Sequence, residues 1–264
     1  SSRSPAIAGP SVRLLGAALP RIFGTVGSLA VQNAERQPRR TAATASALMI
    51  GLALVTALTI FATSATASIN QVIDRTIGAE FLISTLTQRP FPEQVALDVA
   101  AVPGVASVSP VKLLPAKVGG QDAALVGVDP GTFGDMVTLA FTAGGLDGLG
   151  DDGVVVDSQS AADLGLAMGD LAAVQVATGA ADFLVVGIYE PAGAYSGLVV
   201  DSGSLNRAGV GAGDSFVYAR AEPGADLEQV QAAVTAALAA YPTIEVQSQA
   251  QFKEQITSGV NQLL

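Results

Sequence analysis

The sequence has no histidine, no cysteine and no tryptophan. Without histidine, a Ser-His-Asp triad, a Cys-His nucleophile and an HExxH zinc site are all out of reach. Without cysteine there are no disulfides, no thiolate metal ligands and no thiol redox chemistry. A domain outside the cytoplasm would then hold together by packing alone. Aromatic residues make up only 5% of the chain, so the hydrophobic 50% rests mainly on Ala, Val and Leu, which gives a core of short side chains. No GxxxxGK[ST] stretch occurs, so the chain is not itself a P-loop ATPase.

Charge is unevenly placed along the 264 residues. Residues 1–40 hold six arginines (3, 13, 21, 36, 39 and 40) against one acid, Glu35. Residues 41–264 hold seven basic and 22 acidic residues. Such a split predicts two different environments for the two parts. The acidic major part excludes nucleic acid, which needs basic surface over its phosphates.

Residues 41–69 form a run of 29 without a charge, centred on Ala47-Leu-Met-Ile-Gly-Leu-Ala-Leu-Val-Thr-Ala-Leu-Thr-Ile-Phe61. About 20 apolar residues cross the ~30 Å hydrocarbon layer of a bilayer. As a helix the run spans about 43 Å, enough to cross and project as a stalk. It is too long for an ordinary buried core helix. It also begins too far along the chain, and runs too long, for the apolar part of a signal peptide. Arg36, Arg39 and Arg40 precede it and acidic sequence follows. The positive-inside rule therefore predicts residues 1–40 in the cytoplasm and residues from about 70 to 264 outside it, with the protein in the cell's inner membrane. A topology-setting role for these three arginines competes with contact to an ATPase or to anionic lipid. Ala43, Ala47 and Gly51 fall on one helix face, a small-residue surface suited to packing against another membrane helix. Plain alanine-rich composition accounts for the same stripe equally well.

Residues 1–19, with Pro5, Gly9 and Pro10, read as a linker, and residues 20–40 as a short amphipathic helix at the inner membrane surface. Beyond the span, short strands and helices follow in mixed order. Strands are expected at 80–86, 105–109, 112–118, 123–128, 153–157, 172–177, 183–190, 197–201, 216–220 and 244–247. Helices are expected at 92–101, 158–166, 226–241 and from 249 onward. Residues 144–153, rich in Gly and Asp, read as a loop. Several adjacent strands lack a helix between them, which favours an α+β domain over a doubly wound parallel sheet.

Three motifs invite a chemical reading. Ser109-Pro-Val-Lys112 matches SxxK, but Pro110 and the flanking valines place it on strand and turn, and no SDN or KTG partner follows. Asp147, Asp151 and Asp152 offer oxygens on a flexible loop, yet not at EF-hand spacing, and acidic turn residues are common. Gly209, Gly211 and Gly213 have no preceding strand suited to a nucleotide loop and read as a turn. No catalytic, cofactor or metal residue is therefore assigned.

Longer stretches carry a family resemblance. Leu29-Ala30-Val31-Gln32-Asn33-Ala34-Glu35-Arg36-Gln37-Pro38-Arg39-Arg40-Thr41 resembles the approach to a membrane helix in MacB/FtsX-like ABC transporter permeases, especially actinobacterial ones. The run from Gly153-Val-Val-Val-Asp157 through Met168-Gly169-Asp170 to Phe183-Leu-Val-Val-Gly-Ile-Tyr-Glu190 is similar to the same family. So is Ser215-Phe-Val-Tyr-Ala with Pro223-Gly224-Ala225-Asp226 and the helix after it. No one of these is highly specific; their order and spacing make the match.

The resemblance implies one transmembrane helix (41–69, with a stalk extension) followed by an α+β extracytoplasmic domain. A porter-like part over 70–149 and 206–250 would carry a small β-rich insert at 150–205. Residues 251–264 would begin a stalk or a further membrane helix. It also implies a separate cytoplasmic ABC ATPase subunit as partner, with further transmembrane helices or a second permease unit beside the lipid bilayer. The function implied is coupling of that subunit's ATP hydrolysis to export or mechanical transmission outside the cytoplasm, with no enzyme site or cofactor in this chain. A single-span, membrane-anchored binding or sensory module is the alternative from another class.

Overall fold

A computed structural model describes residues 38–262 apart from 86, 88, 192–194 and 211–212. The expected linker, the interfacial helix up to residue 37, Arg36 and Gly211 lie outside the described residues.

Helix α1 runs from Pro38 to Thr76 without a break. Proline suits a first helical position, because its missing N–H has no partner there anyway. Ala, Leu and Met then sustain the helix. It is longer than the charge-free run. Charge does not end it, since Asp74 and Arg75 lie in its final turn. Contacts divide the described chain into two units within this helix, after residue 65.

In the first unit the apolar side chains from Leu48 to Phe61 are exposed, Leu48 by 76%. Polar atoms on this stretch are turned inward on the helix itself. Thr56 Oγ1 donates to the Leu52 carbonyl at 2.8 Å, Thr59 Oγ1 to Val55 at 2.9 Å and Thr63 Oγ1 to Thr59 at 3.0 Å. Threonines that bond four residues back present only methyl groups to their surroundings.

The second unit is built on strands β1 (Phe81–Thr85), β2 (Val105–Val118), β3 (Gln121–Val128), β4 (Phe141–Gly144), β5 (Gly153–Asp157), β6 (Leu171–Val176), β7 (Gly179–Tyr189), β8 (Leu198–Asp201), β9 (Phe216–Ala221) and β10 (Ile244–Ser248). Its helices are α2 (Gln94–Ala100), α3 (Pro130–Met136), α4 (Ser158–Leu164), α5 (Ser202–Arg207), α6 (Leu227–Ala237) and α7 (Gln249–Gln262). One sheet path runs β10-β1-β9-β2-β3-β8-β5-β7-β4, and β6 pairs with both β2 and β7.

Two substructures follow from that path. The first takes β1, α2, β2, β9, α6 and β10, with the strands ordered β10-β1-β9-β2 and all antiparallel. This is a split βαβ arrangement. Phe81 and Ile83 of β1, Val217 and Ala219 of β9, Val95 and Val99 of α2, and Val230 and Val234 of α6 form its core. The second is a closed ring, because β2-β3-β8-β5-β7-β6 returns to β2. Closure leaves these strands no free edge. Leu125, Val154, Val156, Phe183, Val185 and Leu198 fill the ring. Alternate residues of the same strands, Val126, Val155 and Val199, face a third cluster around Phe133, Tyr189 and Tyr195. Strand β5 is therefore buried on both faces, as its unbroken valine run predicts.

Asp side chains start four helices. Asp129, Asp157, Asp201 and Asp226 each accept backbone N–H bonds at the N-terminus of α3, α4, α5 and α6. Some of the acidic excess is thus structural capping. Gly165, at φ 67°, closes α4 in the left-handed region, where a side chain is disfavoured.

Several expectations need correction. The strands expected at 105–109 and 112–118 are one strand. Pro110 is tolerated because β2 is paired only with β9 there, and β3 joins from Val111. The loop expected at 144–153 contains a 3-10 turn at Leu146–Gly148. The helix expected at 158–166 ends two residues sooner, at Leu164. Helices α3 and α5 and strand β4 were not anticipated.

Candidate functional site at the root of the entry helix

The end of α1 and the start of α7 meet at one place in the second unit. Ile73 and Thr76, in the last turns of α1, are buried, as is Ala79 just beyond. The backbone after the helix joins the segment after α3. Gly78 N donates to the Met136 carbonyl at 2.7 Å, and Thr138 N donates to Thr76 at 2.9 Å. Ile77 and Val137 form an antiparallel bridge. The start of α7 closes the other side: Gln249 Nε2 donates to Ile77 O at 2.8 Å, and Lys253 pairs with Asp74. A cleft of about 590 Å³ opens here, lined by Asp74, Gly78, Glu80, Glu228, Gln231 and Gln249 among others.

Aromatic side chains support the junction from below. Tyr195 Oη donates to Tyr218 Oη at 2.6 Å, and both rings are buried. Burial raises both phenols above their usual range, Tyr218 to about 12, so they stay neutral donors. Phe133 packs edge-on against Tyr195 at 5.3 Å.

A second polar cluster lies on β2. Lys112 Nζ contacts Glu93 Oε1 at 2.7 Å and Asp214 Oδ1 at 2.9 Å. Asp214 is buried, and burial raises its carboxyl pKa despite the opposing pull of Lys112. Ser109 is buried too, and its Oγ has no partner among the described residues. Residues three apart on a strand point to opposite faces, so Ser109 and Lys112 of the SxxK match do not converge. That geometry removes the Ser-Lys dyad reading.

The Gly-Asp loop is not assembled for a cation either. Asp151 Oδ1 accepts from Arg207 at 2.6 Å, and among the described residues no group of three or more acidic side chains converges to hold a metal. Gly209, at φ 74°, lies in a turn after α5. Ala43, Ala47 and Gly51 are all exposed along α1, and no side chain lies within 4 Å of where a Cβ at Gly51 would sit. Arg39 and Arg40 lie in the first turn of α1. Sequence reading missed the root itself. Its partners, such as Thr76 with Thr138 and Ile77 with Gln249, are far apart in sequence, and most of its bonds are made by backbone atoms that carry no residue signature.

These features describe a membrane-type helix leading into a domain that joins a split βαβ unit to a closed barrel. Residues 41–237 match the family described as the MacB-like periplasmic core domain. The crystal structure of the periplasmic region of MacB from Actinobacillus actinomycetemcomitans is similar at a TM-score of 0.54 and 15% identity, over 70% of this chain and 95% of that one. The extracellular domain of the noncanonic ABC-type transporter YknZ from Gram-positive bacteria matches at a TM-score of 0.47 and 17% identity, over 64% of this chain and 98% of that one. No curated protein matches the sequence. The chain belongs to the MacB/FtsX-like permease family and carries the MacB-like periplasmic domain of ABC-transporter permease-type proteins.

Proposed function

We propose that this protein is the membrane permease subunit of an ABC transporter. It couples ATP hydrolysis in a separate cytoplasmic ATPase subunit to export or mechanical work on the far side of the inner membrane. The observation that carries this reading is helix α1. Its 39 residues extend about 58 Å at 1.5 Å per residue. One part is apolar enough to cross a bilayer, and its last turns are bonded into the extracytoplasmic fold. A single helix that is both membrane span and structural member of a domain is a means of carrying motion between the two. Residues 38–40 then belong to the cytoplasmic flank, and Ala43, Ala47 and Gly51 face further transmembrane helices or a second permease unit. ATPase activity belongs to the partner.

The test is reconstitution in nanodiscs of the protein, expressed from its whole gene, with the ATPase encoded beside it. A stable complex whose hydrolysis rate changes when the permease is present supports the reading. A folded, inserted protein that forms no complex sinks it, and leaves the domain as an anchored recognition module.

A further inference from the structure

Arg220 is the last-but-one residue of β9, and it makes no ion pair among the described residues. Its guanidinium points instead at two backbone carbonyls. Nη2 donates to Gly78 O at 3.3 Å and to Asp135 O. Gly78 lies two residues past the end of α1, and Asp135 is in the last turn of α3. The Asp135 carbonyl, in the last turn of α3, lacks an intrahelical donor and carries partial negative charge, so a fixed cation there satisfies both needs. Both bonds come from one nitrogen, Nη2, whose two N–H groups serve the two carbonyls. The site is built tightly around the arginine: a Cβ at Gly78 would lie 3.1 Å from Nη2. A side chain at residue 78 would crowd the guanidinium.

The remaining root contacts differ in kind. Asp74–Lys253 lies on the surface, with the Asp74 side chain 58% exposed, and such pairs hold geometry weakly. The Gly78–Met136 and Thr76–Thr138 bonds are backbone bonds on either side of Ile77. Arg220 alone, among the described side chains, ties the exit of α1, the end of α3 and the central sheet together.

We infer that Arg220 is a positioning residue that locks the segment after the last turn of α1 to the end of α3 and to β9, so that the joint at Gly78 does not bend. This rests on the coupling role proposed above and adds to it the residue through which the coupling passes.

These 264 residues hold no cysteine, so the labels go where they are placed once any cysteine outside them is replaced by serine. In the full-length protein, Ser68→Cys on α1 and Leu97→Cys on α2, both exposed, carry spin labels, and the distance distribution between them is measured. The native arginine should give one narrow distribution, and Arg220→Ala should give a broad one at unchanged circular dichroism. Arg220→Met keeps the aliphatic stem, serves if the alanine variant does not fold, and should broaden the distribution likewise. Adding a disulfide across the bridge with Ile77→Cys and Val137→Cys, in an unlabelled Arg220→Ala protein, should restore permease-dependent ATP hydrolysis when oxidised and lose it when reduced. A distribution as narrow in the folded variant as in the native protein overturns the inference. If the native permease leaves the ATPase rate unchanged while the distributions still differ, the coupling role fails and the positioning role of Arg220 stands.

Discussion

Residues of the same apolar character meet opposite fates in two regions. Along α1, Leu48 is 76% exposed and Leu52, Leu54, Ile60 and Phe61 are each exposed by more than half. In the domain, Val154, Val155 and Val156 are fully buried. The domain finishes its core from its own chain, with one cluster inside the barrel, one beneath the root and one under α2 and α6. The helix finishes nothing by itself. Its apolar surface calls for lipid or other helices, and its threonines are already satisfied internally. One region buries its apolar side chains by its own folding; the other leaves them exposed.

That contrast can be broken from either side. The largest effect is expected at Phe133→Ala. This ring is fully buried beneath the root and touches Tyr195, so its removal should cost about 3–5 kcal/mol. Thermal unfolding of the domain measures the loss, and membrane insertion of α1 should be unaffected. Lys112→Ala comes next, because it strips buried Asp214 of its cation at a cost of up to ~3–5 kcal/mol. The double change Lys112→Met with Asp214→Leu should recover most of that.

The pH sign follows from Asp214. Its folded pKa lies above the unfolded value of about 3.8, so the folded state holds the proton more tightly. Its favourable contribution is present below about pH 3.8 and fades as pH rises through the raised pKa. Asp214→Asn should remove that part of the stability decline, read as a flatter melting temperature over the same pH range. The Lys112→Ala loss should deepen with rising pH.

On the helix, Leu54→Arg should leave the domain's melting temperature unchanged. It should cost about 2.5–3.5 kcal/mol of insertion free energy, measured as the inserted fraction in a translocation assay. If the domain melts earlier and insertion is untouched, the contrast between the regions is wrong. The smallest effect is expected for Ala47→Leu. It should weaken helix association in the membrane by about 1 kcal/mol if the small-residue face is a packing surface, read from the assembled fraction in nanodiscs. No change would leave the stripe as composition alone.

The membrane-type helix was legible because hydropathy over a long run is a one-dimensional signal. So were β5, from three valines in a row, and α6, from Val230 and Val234 at helical spacing after Asp226. Helices α3 and α5 were missed because each is one or two turns long, too short to show a period. The capping signals were nonetheless present, as Asp129-Pro-Gly and Asp201-Ser-Gly. Pro110 suggested a break because the chain alone does not reveal that its strand has a neighbour on one side only. The root was the least legible part. Arg220 looks like any strand-end cation until the fold brings the ends of α1 and α3 beside it.

The proposed coupling depends above all on which side of the membrane each region occupies. Single cysteines placed in the cysteine-free sequence, Asp182→Cys in the domain and Arg40→Cys at the start of α1, report this directly in intact cells treated with a membrane-impermeant maleimide. With the domain outside and the start of α1 in the cytoplasm, position 182 is labelled at once and position 40 only after the membrane is opened. Labelling of position 40 in intact cells with position 182 protected would contradict this arrangement.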